Sequence, residues 1–189
     1  SKEEMRKVCN RARQKGALVL LDEAYYEFSD DDFSGLLREF DNLGIVRTFS
    51  KTFGMAGLRL GYVLGAEDLI SNINKSSSPY NVSSVSVSAG MAALDDIEYV
   101  KDYVEKVKED REYLAKEIEK RGFTVYPSRA NFILVNFGKI NNLICRNLRN
   151  QGILIRSRDK DRLLEGCSRV SIGTRSECEK LLECLDEQL

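Results

Sequence analysis

The stretch ALVLLDEAYYEF, residues 17–28, changes character at a single position. Ala17 to Leu21 are apolar without interruption, and Asp22 ends the run. A strand covered on one face alternates apolar and polar residues. A run apolar at every position predicts a strand buried on both faces, as in parallel sheets sandwiched by helices. A carboxylate directly after such a run is costly unless a cation or ligand meets it. In open parallel sheets, ligands bind beyond the carboxyl ends of the strands. Asp22 and Tyr25 are therefore candidates for a site at this strand's end.

The flanking sequence extends the α/β pattern. Residues 2–15 form a charged helical stretch that stops at Gly16. SDDDFSGLLREFDNLG, residues 29–44, predicts a loop with a short helix. IVRTFS, residues 45–50, predicts a second strand that stops at Ser50 and Lys51. LRLGYVLG, residues 58–65, predicts a third. SSSPYNVSS, residues 76–84, is polar and rich in turn formers. From Glu98 to Arg121, Val100, Tyr103, Val104, Val107, Leu114 and Ile118 recur at helical spacing, with Gly122 placed to end the helix. Glu112–Lys116 and Glu117–Arg121 are acid-first i,i+4 pairs along it. Beyond it, FTVYP, NFILVNF, GILIRS and SRVSIGT read as strands, and residues 140–150 and 176–188 as helices. The last helix gathers Cys178, Leu181, Leu182, Leu185 and Leu189 on one face. The expected organisation is an α/β part over residues 1–97, a long linking helix over 98–121 and a small α+β unit over 122–189.

Composition narrows the chemistry. The chain has 189 residues, 42% hydrophobic and 31% charged, enough for one large or two small domains. A formal net charge of -1 gives no electrostatic support for nucleic-acid binding. No apolar run is long enough for a membrane span, and SKEEMRKVCNRARQKG lacks the character of a signal peptide. The five cysteines are scattered without a C-x-x-C pair, which fits reduced thiols of a cytoplasmic protein rather than metal ligands. Histidine is absent, so Ser-His-Asp and Cys-His catalysis, histidine bases and most zinc sites are excluded. An enzyme built from this chain needs lysine, carboxylate, tyrosine or a cofactor.

RTFSKTFGMAGLRLGY, residues 47–62, supplies the lysine. Pyridoxal 5'-phosphate asks a protein for an amine to form an imine, a carboxylate facing the pyridine nitrogen, hydroxyls and a cation for the phosphate, and a donor near the ring oxygen. Lys51, Asp22, the Ser50–Arg59 pair and Tyr25 match those needs in turn. Gly54, Gly57 and Gly61 have the wrong spacing for a dinucleotide loop, and close backbone packing is the expected reason for them. By strand alternation, Arg169 and Ser171 face opposite to Val170 and Ile172. Arg175 lies beyond the strand, where a solvated charge is expected, and RSRDKDR, residues 156–162, reads as a solvated charged loop.

LLDEAYYEFS, RTFSKTFGMAGLRLGY, YPSRANFILVNF and GCSRVSIGTR together resemble the fold-type I aminotransferases, and within them the histidinol-phosphate branch. The resemblance runs along nearly the whole chain in compatible order. It implies that Lys51 bonds the cofactor and shuttles the proton at the substrate α-carbon, that Asp22 pairs with the ring nitrogen, and that Tyr25 binds the ring oxygen. It further implies that Ser50 and Arg59, with Thr48 as a weaker candidate, hold the cofactor phosphate. Arg169 would clamp the substrate carboxylate, a bidentate task suited to arginine, and Arg156 the substrate phosphate. Asn131 is either close to substrate or a turn former. The implied reaction converts histidinol phosphate and 2-oxoglutarate to imidazole acetol phosphate and glutamate, in histidine biosynthesis. A threonine-phosphate decarboxylase-like lyase and a non-catalytic assembly module are the alternatives.

The family pattern begins earlier than Ser1. Its upstream part carries the rest of the sheet, a glycine-rich phosphate loop, an aromatic that stacks on the ring, an asparagine at the ring oxygen and a tyrosine reaching across a homodimer. The resemblance therefore implies a partial large domain with a parallel-rich, incomplete sheet, followed by the small α+β domain. It implies a small-molecule substrate, no nucleic-acid or membrane partner, and either a homodimer or a complementary N-terminal half as protein partner. Strands lacking the rest of their sheet are expected to expose apolar faces. The chain alone is expected to bind cofactor weakly and to turn over little.

Overall fold

The computed structural model describes residues 1–29 and 31–187. Helix α1, Lys2–Gln14, starts from a capping box: the Ser1 hydroxyl accepts from the Glu4 amide, and the Glu4 carboxylate accepts back from the Ser1 end. The chain leaves it through Gly16 at φ +64°, the left-handed turn that glycine adopts at least cost. α1 buries Cys9 and rests Met5 against Leu36, Phe40, Leu43 and Ile45.

Three strands form the first sheet: β1 Val19–Asp22, β2 Leu43–Thr48 and β3 Gly61–Gly65, in that order. β1 and β2 are parallel, with Asp22 opposite Val46. β3 runs antiparallel to β2, with Thr48 opposite Gly61. A parallel return needs a crossover of a dozen or more residues, usually a helix. Residues 49–60 hold only the 3-10 turn Ala56–Leu58, so the strand turns back instead. This also shortens the third strand, expected from Leu58, to begin at Gly61.

The apolar run that predicted burial on both faces is covered on one. Val19 and Leu21 pack into the Cys9 cluster, whereas Leu18 and Leu20 remain 66% and 68% exposed. The open apolar face agrees with the expectation for strands short of sheet partners. Between β1 and β2 lie helix α2, Tyr26–Ser29, and a 3-10 turn, Ser34–Arg38, whose Leu36 joins the same cluster.

Two helices beyond β3 carried no clear sequence signal. α3, Glu67–Ser76, sets Leu69 over Gly44 and Gly65. α4, Ser84–Asp95, begins at Ser83, whose hydroxyl accepts from the Ser86 amide. Its first turns alternate serine and valine, a strand-like pattern of weak helix formers. What holds it is contact: the Ser86 hydroxyl donates to the Leu58 carbonyl at 2.8 Å, and Gly90 sits against Leu60 and Phe49.

Helix α5, Ile97–Lys120, follows the predicted stripe. Val100, Val104, Val107, Leu114 and Ile118 are buried, while Tyr103 stays 37% exposed. Each buried aliphatic contributes roughly 1.5–3 kcal/mol relative to exposure. The predicted Glu117–Arg121 pair forms at 3.2 Å, and Gly122 turns the chain at φ +86°.

The second sheet has the order β4-β5-β7-β6 and is antiparallel throughout. Its strands are β4 Thr124–Tyr126, β5 Phe132–Asn136, β6 Arg156–Ser157 and β7 Cys167–Ser171. GILIRS was expected as a full strand, but only its last two residues pair. Helix α6, Asn141–Asn150, precedes β6, and α7, Arg175–Asp186, follows β7. One face of the sheet buries Ile133, Val135, Ser168 and Val170; Ser168 bonds Asn141 of α6 there at 2.7 Å. The other face carries Leu134, Arg156, Arg169 and Ser171 and is more open. α7 buries Cys178, Leu181, Leu182, Cys184 and Leu185; Leu189, the last of the predicted stripe, lies outside the described residues. The chain divides into two compact units, Ser1–Val100 and Lys101–Leu189.

Candidate active site

In the first unit the candidate residues gather where β1 and β2 end. Alternation assigns their faces. Val19, Leu21, Leu43 and Ile45 point into the core cluster, so Asp22, Val46 and Thr48 point to the opposite face of the sheet. The exposed Asp22 carboxylate accepts from the Ala24 amide at 3.0 Å, which turns the chain toward Tyr25. Lys51 follows β2, and its ammonium sits 5.1 Å from the centre of the Tyr25 ring. This brings Lys51 and Tyr25 together from segments far apart in sequence.

Thr48, Ser50 and Arg59 line one cavity of 310 Å³ with Val46, Gly61 and Val63. The Thr48 hydroxyl donates to the Leu60 carbonyl at 3.3 Å and accepts from the Ser50 amide at 3.1 Å. It therefore fastens the 49–60 loop onto the strand end. Arg59 adopts φ +51°, a left-handed conformation unusual for a branched-chain or long side chain, while its guanidinium donates to the Ala56 carbonyl at 3.1 Å. Such backbone outliers cost about 1–3 kcal/mol and collect at functional sites. Close packing explains Gly61, whose added Cβ would lie 2.8 Å from the Arg47 carbonyl oxygen. It does not explain the other two glycines: Gly54 is needed for φ +67°, and Gly57 meets nothing within 4 Å.

On the core side of the same strand ends lies a charge cluster that the sequence reading missed. The Glu23 amide donates to the Val46 carbonyl at 2.9 Å, continuing the parallel ladder one position past Asp22. The Glu23 side chain, in a residue only 6% exposed, thus turns inward. Arg47 donates to it through Nε at 2.9 Å and lies 2.7 Å away through Nη2. The same Nη2 reaches Asp32 at 2.7 Å, and the guanidinium lies 3.7 Å from the Tyr26 ring centre. Burial works against the Arg47 charge, but the Glu23 hydrogen bond and the surrounding groups hold its pKa above the ordinary value. Tyr26 is pushed up to about 12, chiefly by burial and then by the nearby Glu27. The Ser34 amide, with help from Arg47, lowers the Asp32 carboxyl. The available signal was the alternation itself, because whatever turns Asp22 outward turns Glu23 inward.

In the second unit, Arg169 occupies the centre of β7, opposite Leu134 on one side and Arg156 on the other. Like charges directly opposite in an antiparallel pair repel. The Arg169 guanidinium lies 5.3 Å from the Phe132 ring centre, and its Nε is buried without a hydrogen-bond partner. A buried unpaired donor costs about 1–3 kcal/mol, more when charged. Two arginines and an unsatisfied donor on one sheet face make a receptor suited to an anion. Asn131 contributes its carbonyl, which accepts from the Ile172 amide at 2.9 Å and extends the β5–β7 register.

Arg175 is exposed, as a solvated charge is expected to be, and there it pairs with Asp110 at 2.7 Å and stacks 3.8 Å from the Tyr113 ring centre. The 156–162 loop is also organised, with Arg158 on Asp161 at 2.6 Å and Asp159 accepting from Asn142 at 2.8 Å. All five cysteines are free thiols, and no metal-binding group of histidine, cysteine or carboxylates occurs among the described residues. No helix among them is long and apolar enough to cross a membrane.

The chain belongs to the aminotransferase class I and II family, whose model matches residues 1–185. Members of this family depend on pyridoxal 5'-phosphate. A histidinol-phosphate aminotransferase of Methanosarcina barkeri is 40% identical over 185 residues, covering 97% of this chain and 49% of that protein. The crystal structure of the histidinol-phosphate aminotransferase from Clostridium acetobutylicum matches with a TM-score of 0.90 at 26% identity, over 100% of this chain and 60% of that one. The Sinorhizobium meliloti enzyme of the same name, in complex with pyridoxal-5'-phosphate, matches with a TM-score of 0.81 at 32% identity, over 90% and 48%. The chain thus spans about half the length of the curated relatives it matches. Its donor set fits the family cofactor: an amine beside a phenol, a carboxylate on the sheet face shared with Thr48, and hydroxyls with a guanidinium around one cavity.

Proposed function

We propose that this chain carries the lysine-bearing part of a pyridoxal-phosphate aminotransferase site, and that its substrates are histidinol phosphate and 2-oxoglutarate. The observation that carries the substrate class is the Arg156–Arg169 cross-strand pair with its buried, unpartnered Nε. Such a pair favours oxyanions: the phosphate of the amino donor in one half-reaction and the carboxylates of the keto acid in the other. Arginine forks match both groups.

Bound at this site, pyridoxal phosphate supplies a carbonyl that holds the substrate nitrogen and a ring that accepts electrons as the α-proton leaves. The protein residues do the rest. The Lys51 amine anchors the cofactor and then moves the proton at the substrate α-carbon. The Asp22 carboxylate pairs with the ring nitrogen, and the Tyr25 hydroxyl donates to the ring oxygen. Thr48, Ser50 and Arg59 hold the cofactor phosphate. Arg169 and Arg156 orient the substrate anions, and Asn131 is either close to substrate or a turn former. The Lys51–Tyr25 proximity and the shared Thr48–Ser50–Arg59 cavity support this assignment. The protein partner is either a second copy or a chain supplying the family's N-terminal half, and the site works in the cytoplasm. Acting by itself, the chain binds the cofactor weakly and turns over slowly.

A phosphoamino acid that loses its carboxylate would satisfy the same arginine pair. The L-threonine-O-3-phosphate decarboxylase from Porphyromonas gingivalis shares the fold, with a TM-score of 0.85 at 20% identity. A single-turnover experiment separates the two readings and detects even a slow enzyme. Chain preloaded with cofactor receives histidinol phosphate or threonine phosphate, and keto phosphate and carbon dioxide are quantified. Keto phosphate from histidinol phosphate, with no carbon dioxide from threonine phosphate, is the expected outcome. Carbon dioxide release without transamination would overturn the proposal.

A further inference from the structure

We propose that Glu23 and Arg47 are positioning residues, whose buried ion pair holds the ends of β1 and β2 so that Asp22, Tyr25 and Lys51 are set for the cofactor. The inference rests on the pyridoxal-phosphate reading above. Its basis is the way adjacent residues divide between the two faces of the sheet. Asp22 and Thr48 share one face of the sheet, while Glu23 and Arg47, each one residue away, meet on the core side, and Arg47 also borders the cavity that Thr48 lines. Every bond in the core-side cluster therefore constrains a neighbour on the functional side.

The cluster reaches the segments that bear Asp22, Tyr25 and Lys51. Glu23 is bonded along the chain to Asp22. Tyr26, stacked under the Arg47 guanidinium at 3.7 Å, is bonded to Tyr25. Arg47 lies on β2, which leads directly to Ser50 and Lys51. The second Glu23 oxygen accepts from the Phe33 amide at 3.1 Å, and Asp32 holds the far side of the guanidinium at 2.7 Å, so the returning loop is tied in as well. A buried ion pair is a poor source of net stability, because desolvation offsets most of the attraction. What a planar guanidinium gripped by two carboxylates and a ring does supply is direction.

The physics gives a clean separation between structure and positioning. Removing one partner strands a buried charge, whereas removing both with apolar replacements is often neutral. Three variants are compared with the wild-type chain: Glu23→Gln, Arg47→Met and the double Glu23→Leu/Arg47→Met. Each is measured for thermal unfolding without cofactor, for pyridoxal phosphate affinity by visible titration, and for borohydride trapping at Lys51 by peptide mass. Both single variants are expected to lose stability and affinity. The double variant is expected to regain the wild-type midpoint yet bind cofactor about tenfold more weakly, with trapping at Lys51 reduced. Recovery of midpoint, affinity and trapping together would overturn the proposal, leaving the cluster a structural element only. Should the double variant fail to fold, Arg47→Lys decides: it keeps the charge but not the fork. Wild-type affinity in that variant overturns the proposal, and a tenfold loss with a folded chain supports it. Absence of Lys51 trapping in the wild-type chain overturns the cofactor reading and the positioning role with it.

Discussion

Replacing Gly61 by alanine adds one methyl group where the backbone leaves no room. Its Cβ would stand 2.8 Å from the Arg47 carbonyl oxygen and 3.7 Å from the Thr48 Cα. Both neighbours are main chain in the adjacent strand, so neither can rotate away. The strands must part at the Thr48–Gly61 pair, the last of the β2–β3 register. Overpacking of this kind costs about 1–3 kcal/mol. Two nearby hydrogen bonds to the Leu60 carbonyl, from the Phe49 amide at 3.1 Å and the Thr48 hydroxyl at 3.3 Å, weaken as the strands separate. At ~1 kcal/mol each when lost, they bring the total to roughly 3–5 kcal/mol. For a unit of this size that lowers the midpoint by about 10 °C or more. Gly57→Ala is the matched control, because its Cβ meets nothing within 4 Å and its φ is not left-handed. That change restricts the unfolded chain and is expected to be neutral or to stabilise by up to ~1 kcal/mol. Thermal unfolding followed by circular dichroism reads both. Equal midpoints for the two variants, or a larger loss in Gly57→Ala, would refute the reasoning.

Other perturbations separate stability from function. Arg156→Leu removes one of two opposed cations, so the ligand-free chain should gain roughly 0.2–1 kcal/mol while its affinity for a phosphorylated substrate falls; calorimetric titration and unfolding together check this. Glu27 is half-buried, and desolvation raises its pKa above 4.5. For an acid shifted upward, the stability contribution is full below the unfolded value and is lost as pH rises through the folded one. Glu27→Gln should therefore stabilise the chain at neutral pH, with the gain vanishing toward pH 4 in unfolding curves. Asp32 is shifted downward, so its contribution is present above the unfolded value and lost as pH falls through the folded one. Asp32→Asn should cost stability at pH 7 and little in strong acid.

Much of the scaffold is legible in the sequence because its signals are local. The α5 stripe, its glycine stop and the alternation around Arg169 depend on residues a few positions apart. The end of β1 at Asp22 was visible as an abrupt change from apolar to polar, whereas β2, expected over residues 45–50, spans Leu43–Thr48 because its bounds are set by pairing with its neighbours. The direction of β3 was not, since the hydrophobic pattern of a strand is the same whichever way it runs; only the lack of a helix in residues 49–60 decides it. α4 was hidden by serines and valines whose propensity is overridden by the contacts of Ser86 and Gly90. The Glu23–Arg47–Asp32 cluster required pairing information, because its members are separated by a loop and each alone resembles a surface charge. The Arg175–Asp110 pair was hidden for the same reason, because its members lie on different helices. Leu18 and Leu20 were read as buried because an apolar residue reports a preference for cover, not the presence of the covering element.

The central claim is that Lys51 is the cofactor-bearing amine. The direct test adds pyridoxal phosphate to the 189-residue chain, reduces with borohydride, and maps the modified lysine by peptide mass, with Lys51→Ala in parallel. The account predicts a pyridoxyl adduct concentrated on the Lys51 peptide and absent from the variant. Adduct spread evenly over surface lysines, with the same total in Lys51→Ala, would contradict it.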